Sequence, residues 1–349
     1  MLLRNIKQAD FENKKVLARM DFNVELNDVG QVQEHFKLEV LKKTLDYILG
    51  FPGAKVAMLT HFGRPNGKHD PNYSVVKLVP ALEKVLERKI VFVSDCIGKS
   101  VEDALADLSE GSLLLLENVR FYPEEETNDE KFAKTLAKPF DIYVNEAFGV
   151  DHRNHASLVA ITKFLPSYPG LHVLEEVEKL NQVLLSPKHP AIAIIGGAKI
   201  ETKLPLIRMF EDRYDCVLVG GKIANEAIDQ KITFSEKVLL PQDFDSPLRL
   251  DIGPNTIAYY IQIIRMAKTI VWNGPMGKFE EKPYDMGTDA ILHAILESQA
   301  FVVIGGGESL AVLEKAGVMD KIGFISSGGG AMLEYLSGKK LPGLEALEA

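Results

Sequence analysis

Short runs of aliphatic and β-branched residues alternate along the whole chain with longer stretches whose apolar positions recur every three or four residues. In the first half, Val16–Ala18, Lys55–Leu59, Ile90–Val93, Ser112–Leu116 and Asp141–Val144 read as buried strands. In the second half, Ala191–Ile195, Cys216–Val219, Thr269–Trp272, Phe301–Ile304 and Gly323–Ile325 read the same way. Val76–Leu86, Asn255–Met266 and Thr288–Ser298 have helical spacing. This alternation predicts right-handed crossovers and parallel sheets covered on both faces, an α/β protein.

The pattern breaks near the middle. Pro166-Ser-Tyr-Pro169-Gly170 ends the first series, and Ser186-Pro187-Lys-His-Pro190 precedes the second. Between them Val173, Val177, Leu180 and Leu184 share one face of a predicted helix. Two domains joined by that helix are expected, a first over 1–170, a connector over 171–187 and a second from 188. A length of 349 residues suits two domains.

Composition narrows the function. The chain is 46% hydrophobic and 26% charged with a net charge of −9, which disfavours nucleic-acid binding by bulk charge. Its apolar runs fall short of the roughly 20 residues of a membrane span, and Met1–Asp10 carries no signal-peptide core. The two cysteines, Cys96 and Cys216, form no spaced cluster, so neither a disulfide framework nor a zinc site is expected. A cytoplasmic protein with no membrane and no nucleic-acid partner is the expectation.

In an open parallel sheet, ligands sit beyond the carboxyl ends of the strands. In the first half those ends read Arg19-Met-Asp21-Phe-Asn23, His61-Phe-Gly-Arg64, Glu117-Asn118-Val-Arg120, and Asn145 followed by His152-Arg153-Asn-His155. One arginine at such a place is commonly a surface ion pair. Four at one edge of an acidic chain predict a pocket for a small polyanion, because the guanidinium fork matches carboxylate and phosphate oxygens. His152 and His155 lack a nearby third ligand, so a metal there is disfavoured. Glu124–Glu126 reads as a solvated loop.

The second half carries glycine instead. Gly196-Gly197-Ala-Lys199, Gly220-Gly221, Asn273-Gly274-Pro275, Gly305-Gly306-Gly307-Glu308 and Gly328-Gly329-Gly330 all follow strand-like runs. Such turns let the backbone approach a ligand and aim N–H groups at phosphate, so a nucleotide is expected. Neither a P-loop motif nor the dinucleotide Gly-x-Gly-x-x-Gly fingerprint occurs, which argues against a nicotinamide oxidoreductase. Lys199 and Lys203, spaced i,i+4, are expected on one helical face near the phosphates. Glu308 is a candidate Mg²⁺ ligand, with a solvated helix-start glutamate as the alternative. An anion pocket in one half and a nucleotide cradle in the other predict phosphoryl transfer, which needs positioning and charge neutralisation more than covalent catalysis. No base–nucleophile dyad is evident, and an ionised carboxylate acceptor would need none.

These segments, in order, resemble phosphoglycerate kinases: Arg19-Met-Asp-Phe-Asn23-Val, Thr60-His-Phe-Gly-Arg64-Pro-Asn-Gly, Leu116-Glu-Asn-Val-Arg120-Phe, Asn145-Glu-Ala-Phe-Gly, His152-Arg-Asn-His155, Gly196-Gly-Ala-Lys199, Val271-Trp-Asn-Gly-Pro275, Gly277-Lys-Phe-Glu280 and Gly305-Gly-Gly-Glu308. The likeness runs from about Val16 to the Leu341-Pro-Gly-Leu tail. It implies two Rossmann-like domains, each a parallel sheet flanked by helices, joined by a connecting helix. The second would span 188–325, with 326–349 returning to the first. It implies a monomer that moves a phosphoryl group reversibly between 1,3-bisphosphoglycerate and Mg-ADP, giving 3-phosphoglycerate and ATP. By motif position Asp21, Phe22, Asn23, Lys37, His61, Phe62, Gly63, Arg64, Arg120 and Arg153 would hold the phosphoglycerate. Gly197, Lys199, Lys203, Gly221, Asn273, Glu280, Gly306, Gly307, Glu308 and Ser309 would hold the nucleotide, Glu280 at the ribose and Glu308 at Mg²⁺. Lys37, Lys199 and Gly329 would face the transferring phosphoryl.

The sequence departs from the family in four places. Lys37 stands where the family has an arginine, keeping the charge without the fork. Glu146 replaces an aspartate, and Glu308-Ser309 replaces Asp-Thr. The stretch Lys231–Asp251 is several tens of residues shorter than usual, with Arg249 where many members have glycine. The alternative these departures raise is a weakened homologue that binds its ligands as a scaffold.

Overall fold

A computed structural model describes residues 2–24, 26–27, 32 and 35–349. The chain forms two compact units, Met1–Glu176 together with Lys340–Ala349, and Val177–Lys339.

The first unit contains β1 (Lys15–Met20), α1 (His35–Leu49), β2 (Lys55–Leu59), α2 (Val79–Leu86), β3 (Ile90–Val93) and α3 (Lys99–Asp107). It continues through β4 (Leu113–Leu116), α4 (Pro123–Glu126), α5 (Glu130–Ala137), β5 (Ile142–Glu146) and β6 (Ser167–Pro169) to the start of α6 (Leu171–Leu185). Its six strands lie in the order β3-β4-β2-β1-β5-β6, all parallel. Alternation along β1 sends Val16, Ala18 and Met20 into one apolar layer and Leu17 into the other. Both faces are therefore covered, which is why these strands read as unbroken apolar runs.

The second unit contains β7 (Ala191–Ile195), α7 (Ile200–Arg213), β8 (Cys216–Val219), α8 (Gly221–Asp229), β9 (Val238–Leu239), α9 (Pro254–Met266) and β10 (Thr269–Asn273). It ends with α10 (Met286–Glu297), β11 (Phe301–Gly305), α11 (Gly307–Ala316), β12 (Phe324–Ser326) and α12 (Gly329–Leu336). Its strand order is β12-β11-β10-β7-β8-β9, again parallel throughout. Trp272 is wholly buried in β10 and donates its indole N–H to Gly274 O at 2.8 Å, tying the strand to the turn that follows it.

Several boundaries differ from the sequence reading. Ser167–Pro169, read as a chain breaker, is β6, an edge strand where proline's missing N–H costs no pairing. The two residues of β9 are too few to show a period. Val76–Leu86 divides into a 3₁₀ turn over Val75–Leu78 and α2, whose Pro80 sits in the first turn where no N–H is needed. On α6, Val183 rather than Leu184 completes the buried stripe with Val173, Val177 and Leu180. The connector splits at Glu176 and Val177, so it belongs to both units instead of standing between them.

Residues 326–339 stay in the second unit, because β12 pairs with β11 and α12 follows directly. Only Lys340–Ala349, with α13 (Pro342–Glu345), packs on the first unit. There Gly343 N donates to Asp151 O at 2.9 Å and Ala349 N to Leu2 O at 3.0 Å, while Leu341, Leu344 and Leu347 are fully buried. Among the described residues no helix is long and apolar enough to cross a membrane.

Candidate functional site

The strand order of the first unit sets β4, β2, β1 and β5 side by side, so four of the predicted strand ends converge. Beside them is a cavity of about 470 Å³ lined by Asn23, Lys37, Phe62, Gly63 and Tyr73, among others. Gly63 ties the loops together. Its N–H donates to Asn23 Oδ1 at 2.9 Å and its carbonyl accepts from Arg120 Nη1 at 2.9 Å. Its φ of +61° and the Tyr73 ring against it leave no room for a side chain. Arg120 is 3% exposed, with Glu126 at 3.4 Å from Nε, and its Nη2 has no hydrogen-bond partner among the described residues. Arg64 is exposed and Arg153 half-buried; burial, Arg64 and Arg19 lower the Arg153 pKa against the pull of Asp21.

The buried end of this cluster is a chain of hydrogen bonds. Glu125 accepts from Ser157 N at 2.8 Å and Ser157 Oγ at 2.6 Å, and Ser157 Oγ accepts from Arg19 Nε at 3.0 Å. Arg19 Nη1 donates to Met20 O, and Nη2 lies 3.2 Å from His61 Nδ1. Burial, reinforced by Arg19, Arg153, His155 and Lys37, drives the His61 pKa well below the ordinary imidazole range. His61 is therefore neutral at pH 7, accepts from Arg19 at Nδ1, and carries its proton on Nε2. Asp21 Oδ1 lies 3.9 Å from the same Nδ1.

Three expectations are corrected here. Arg19 is 1% exposed and its guanidinium is spent on internal bonds, so it supports the pocket rather than gripping a ligand. Phe22 lies in the core and offers only backbone to the site. Glu125, read as part of a solvated loop, is fully buried. Burial pushes its pKa up, but His155, Arg19 and Ser157 together hold it below the usual carboxylate range. Nothing in the acidic run Glu124–Glu126 marks its middle member, because the difference arises from α4 turning that one side chain toward Ser157.

Glu146 ends β5, where its longer side chain has a defined place. It accepts from His172 N at 3.1 Å, Val173 N at 3.2 Å and the Thr44 hydroxyl, capping the first turn of α6. Gly170 leaves the space this carboxylate occupies, and a Cβ there would force it to move.

In the second unit the chain reverses direction across the sheet between β7 and β10, where open α/β sheets bind ligands. The glycine turns after these strands press against each other. Gly196 N donates to Asn273 O at 2.9 Å and Gly197 N to Pro275 O at 3.1 Å, and Gly221 N donates to Met276 O at 2.7 Å. A Cβ on Gly196 would run into the Pro275 carbonyl. These N–H groups are thus used inside the protein rather than aimed at a phosphate, a correction to the sequence reading of Gly197 and Gly221. Gly307 and Gly329 differ: a Cβ on either would meet nothing within 4 Å. Each sits in the first turn of its helix, where backbone N–H groups lack intrahelical partners.

Lys199 precedes α7 with extended backbone, φ −133°, so Lys199 and Lys203 do not share a helical face. Lys199 is exposed, whereas Lys203 is half-buried and donates to Asn273 Oδ1. Burial lowers the Lys203 pKa to about 8, with Glu308 pulling the other way. Asn273 also donates to Gly305 O at 2.6 Å, and Ser309 Oγ accepts from Gly274 N at 2.7 Å. Both side chains brace turns instead of facing open space. The Glu308 carboxylate and the Lys203 side chain both lie within 4 Å of where a Cβ on Gly197 would sit. Gly197, Gly221, Glu280 and Glu308 line a cavity of about 770 Å³, together with Asn225, Asp229 and Arg249, which sequence patterning did not single out as ligands.

The donor set bears on metal binding. Among the described residues no group of three or more His, Cys, Asp or Glu side chains could enclose a metal. Mg²⁺ with a nucleotide commonly takes one or two carboxylates, phosphate oxygens and waters, so the Glu308 carboxylate, which shares the cavity wall with Glu226, Asp229 and Glu280, fits that role.

The sequence model of the phosphoglycerate kinase family matches residues 6–242 and 229–339, and its two segments overlap over 229–242, around the start of the stretch read as shortened. The chain is 38% identical over 392 aligned positions to the phosphoglycerate kinase of Pelotomaculum thermopropionicum, covering 99% of both chains. It is 39% identical over 387 positions to that of Moorella thermoacetica, covering 98% of both. Among solved structures, phosphoglycerate kinase from Pyrococcus horikoshii superimposes with a TM-score of 0.87 at 30% identity, covering 99% of this chain and 98% of that one. With folds, site motifs and full-length identity in agreement, the chain belongs to the phosphoglycerate kinase family.

Proposed function

We propose that this protein is an active phosphoglycerate kinase, transferring a phosphoryl group reversibly between 1,3-bisphosphoglycerate and ADP to give 3-phosphoglycerate and ATP. The observation that carries this reading is the separation of two chemistries. Cationic side chains gather around His61 in one unit, and a glycine-turn cavity lined by Glu308, with Lys203 beside Gly197, lies in the other.

In this reading Arg64, Arg120, Arg153 and Lys37 neutralise the acid and phosphate groups of the phosphoglycerate. The His61 Nε2–H and Asn23 supply neutral polar contacts, and Asp21 accepts from a substrate hydroxyl. Lys203 and Gly307 meet the phosphates of the nucleotide and Glu280 its ribose, while Glu308 would serve its metal. When bound, Mg²⁺ would be held by Glu308 and phosphate oxygens and would reduce the charge on the nucleotide.

In the direction of ATP consumption, a C1 carboxylate oxygen of 3-phosphoglycerate forms the new bond to the γ-phosphorus. The bond from that phosphorus to the β–γ bridging oxygen breaks, and its electron pair leaves with ADP. The attacking carboxylate is ionised at pH 7, so no side chain has to remove a proton. Lys199, Lys37 and the first-turn N–H of Gly329 would stabilise charge on the equatorial oxygens.

The test is a coupled assay of ATP formation from 1,3-bisphosphoglycerate and Mg-ADP. Steady turnover that falls about 10²-fold in Lys37→Ala and recovers in Lys37→Arg is expected. Binding of both ligands without turnover would overturn this reading in favour of a scaffold.

A further inference from the structure

Arg249 occupies an expensive position. Its φ of +53° is left-handed, a conformation that strains an L side chain and that glycine adopts freely. Its backbone is fixed on both sides, with its N–H donating to Ser246 O at 3.0 Å and its carbonyl accepting from Asn225 Nδ2 at 2.8 Å. The side chain donates through Nη2 to Asp229 Oδ2 at 2.7 Å. That pair is 31% and 58% exposed, and an ion pair so open to water contributes little. The exposed pair and the Phe244 ring 5.7 Å from the guanidinium carbon offset the strain only in part.

The surroundings supply a reason. Arg249 lines the cavity of about 770 Å³ that also holds Glu280 and Glu308. Asp229 holds one edge of the guanidinium, and Phe244 lies 5.7 Å from its carbon. Leu248, 72% exposed, and Phe279 add apolar surface to the same cavity. A guanidinium plane pinned by its edge beside exposed apolar groups suits a flat, weakly polar ring.

We propose that Arg249, oriented by Asp229, is a stacking platform for the base of the bound nucleotide and determines base affinity in this chain. The inference rests on the nucleotide reading above and assigns a source of affinity separate from the phosphate contacts. Stacking uses the face of the ring and does not read its edge. The platform therefore strengthens adenine and guanine nucleotides alike.

The test uses the full chain, with ADP, GDP and inorganic tripolyphosphate as probes, all with Mg²⁺, in titration calorimetry. Arg249→Gly should weaken ADP and GDP by a similar factor, about tenfold, while tripolyphosphate stays within about twofold of wild type. Arg249→Lys should not restore ADP affinity, because it keeps the charge without the plane. Asp229→Asn should give a smaller loss in the same direction. The melting temperature of ligand-free Arg249→Gly should equal or exceed wild type, since glycine relieves the left-handed strain. An ADP affinity within twofold of wild type overturns the proposal. So does an equal loss for ADP and tripolyphosphate, which would reduce Arg249 to general charge attraction. A loss confined to one purine would also overturn it. Wild-type protein that binds tripolyphosphate but not ADP would instead sink the nucleotide reading itself.

Discussion

The two units share a parallel six-stranded architecture but build their sites by opposite means. In the first, side chains do the work. Arginines leave the ends of adjacent strands, and buried partners such as Glu125 and Ser157 set the geometry of the innermost members. In the second, backbone dominates. Glycine turns interlock at the switch between β7 and β10, and Lys203 and Glu308 flank them. Charged forks suit a small acid whose oxygens must be matched in number. Close backbone turns suit a long ligand that lies along the strand ends.

The contrast can be broken most forcefully at Gly196. Gly196→Ala forces a Cβ into the Pro275 carbonyl, which belongs to rigid backbone, and should cost about 3 kcal/mol or more of stability. Chemical denaturation checks this; a loss below about 1 kcal/mol would mean the turns do not interlock as described.

Arg120→Ala comes next. It should lower kcat/KM for the phosphoglycerate substrate by about 10²-fold or more while leaving the ADP KM within twofold. Parallel losses for both substrates would erase the division between units.

The burial-lowered pKa of Lys203 gives a pH signature confined to the second unit. Its ammonium is present below about pH 8 and is lost above it, so ADP affinity should fall between pH 8 and 9. Phosphoglycerate affinity should hold over that range, and Lys203→Met should abolish the ADP trend.

A finer probe is Gly307→Ala. Nothing lies within 4 Å of the added Cβ, so stability should stay within about 0.5 kcal/mol of wild type while ADP affinity drops about tenfold. Unchanged affinity would assign Gly307 no ligand role.

A last probe concerns the tail contact of the first unit. Burial raises the Asp151 pKa to about 8. An acid raised above its unfolded value stabilises most at low pH, and that contribution is lost as pH rises through the folded value. Asp151→Asn should therefore gain more melting temperature relative to wild type at pH 9 than at pH 5. A larger gain at pH 5 would contradict the sign.

The sequence displays these two sites unequally. Strand positions such as Lys55–Leu59 and Ala191–Ile195 are legible because both faces of each sheet are buried, leaving unbroken apolar runs. The strand ends follow, and with them Arg64, Arg120 and Arg153. Glu125 is not legible, since its neighbours Glu124 and Glu126 share its charge and only the turn of α4 separates them. The interlocked glycines are legible as turns but not as partners, because the contact joins segments about 80 residues apart and exists only once β7 and β10 pair. Lys199 and Lys203 show the limit of spacing arguments. The i,i+4 interval holds only inside a helix, and α7 begins one residue too late. Arg249 declares itself through its backbone angle, which no periodicity carries.

Hydrogen–deuterium exchange of the full chain, alone and with each ligand, tests the division of labour most directly. 3-Phosphoglycerate should protect backbone amides around Asn23, Gly63, Arg120 and Arg153. Mg-ADP should protect those around Gly197, Gly307 and Gly329, with little overlap between the two sets. Protection of the same unit by both ligands would contradict the account.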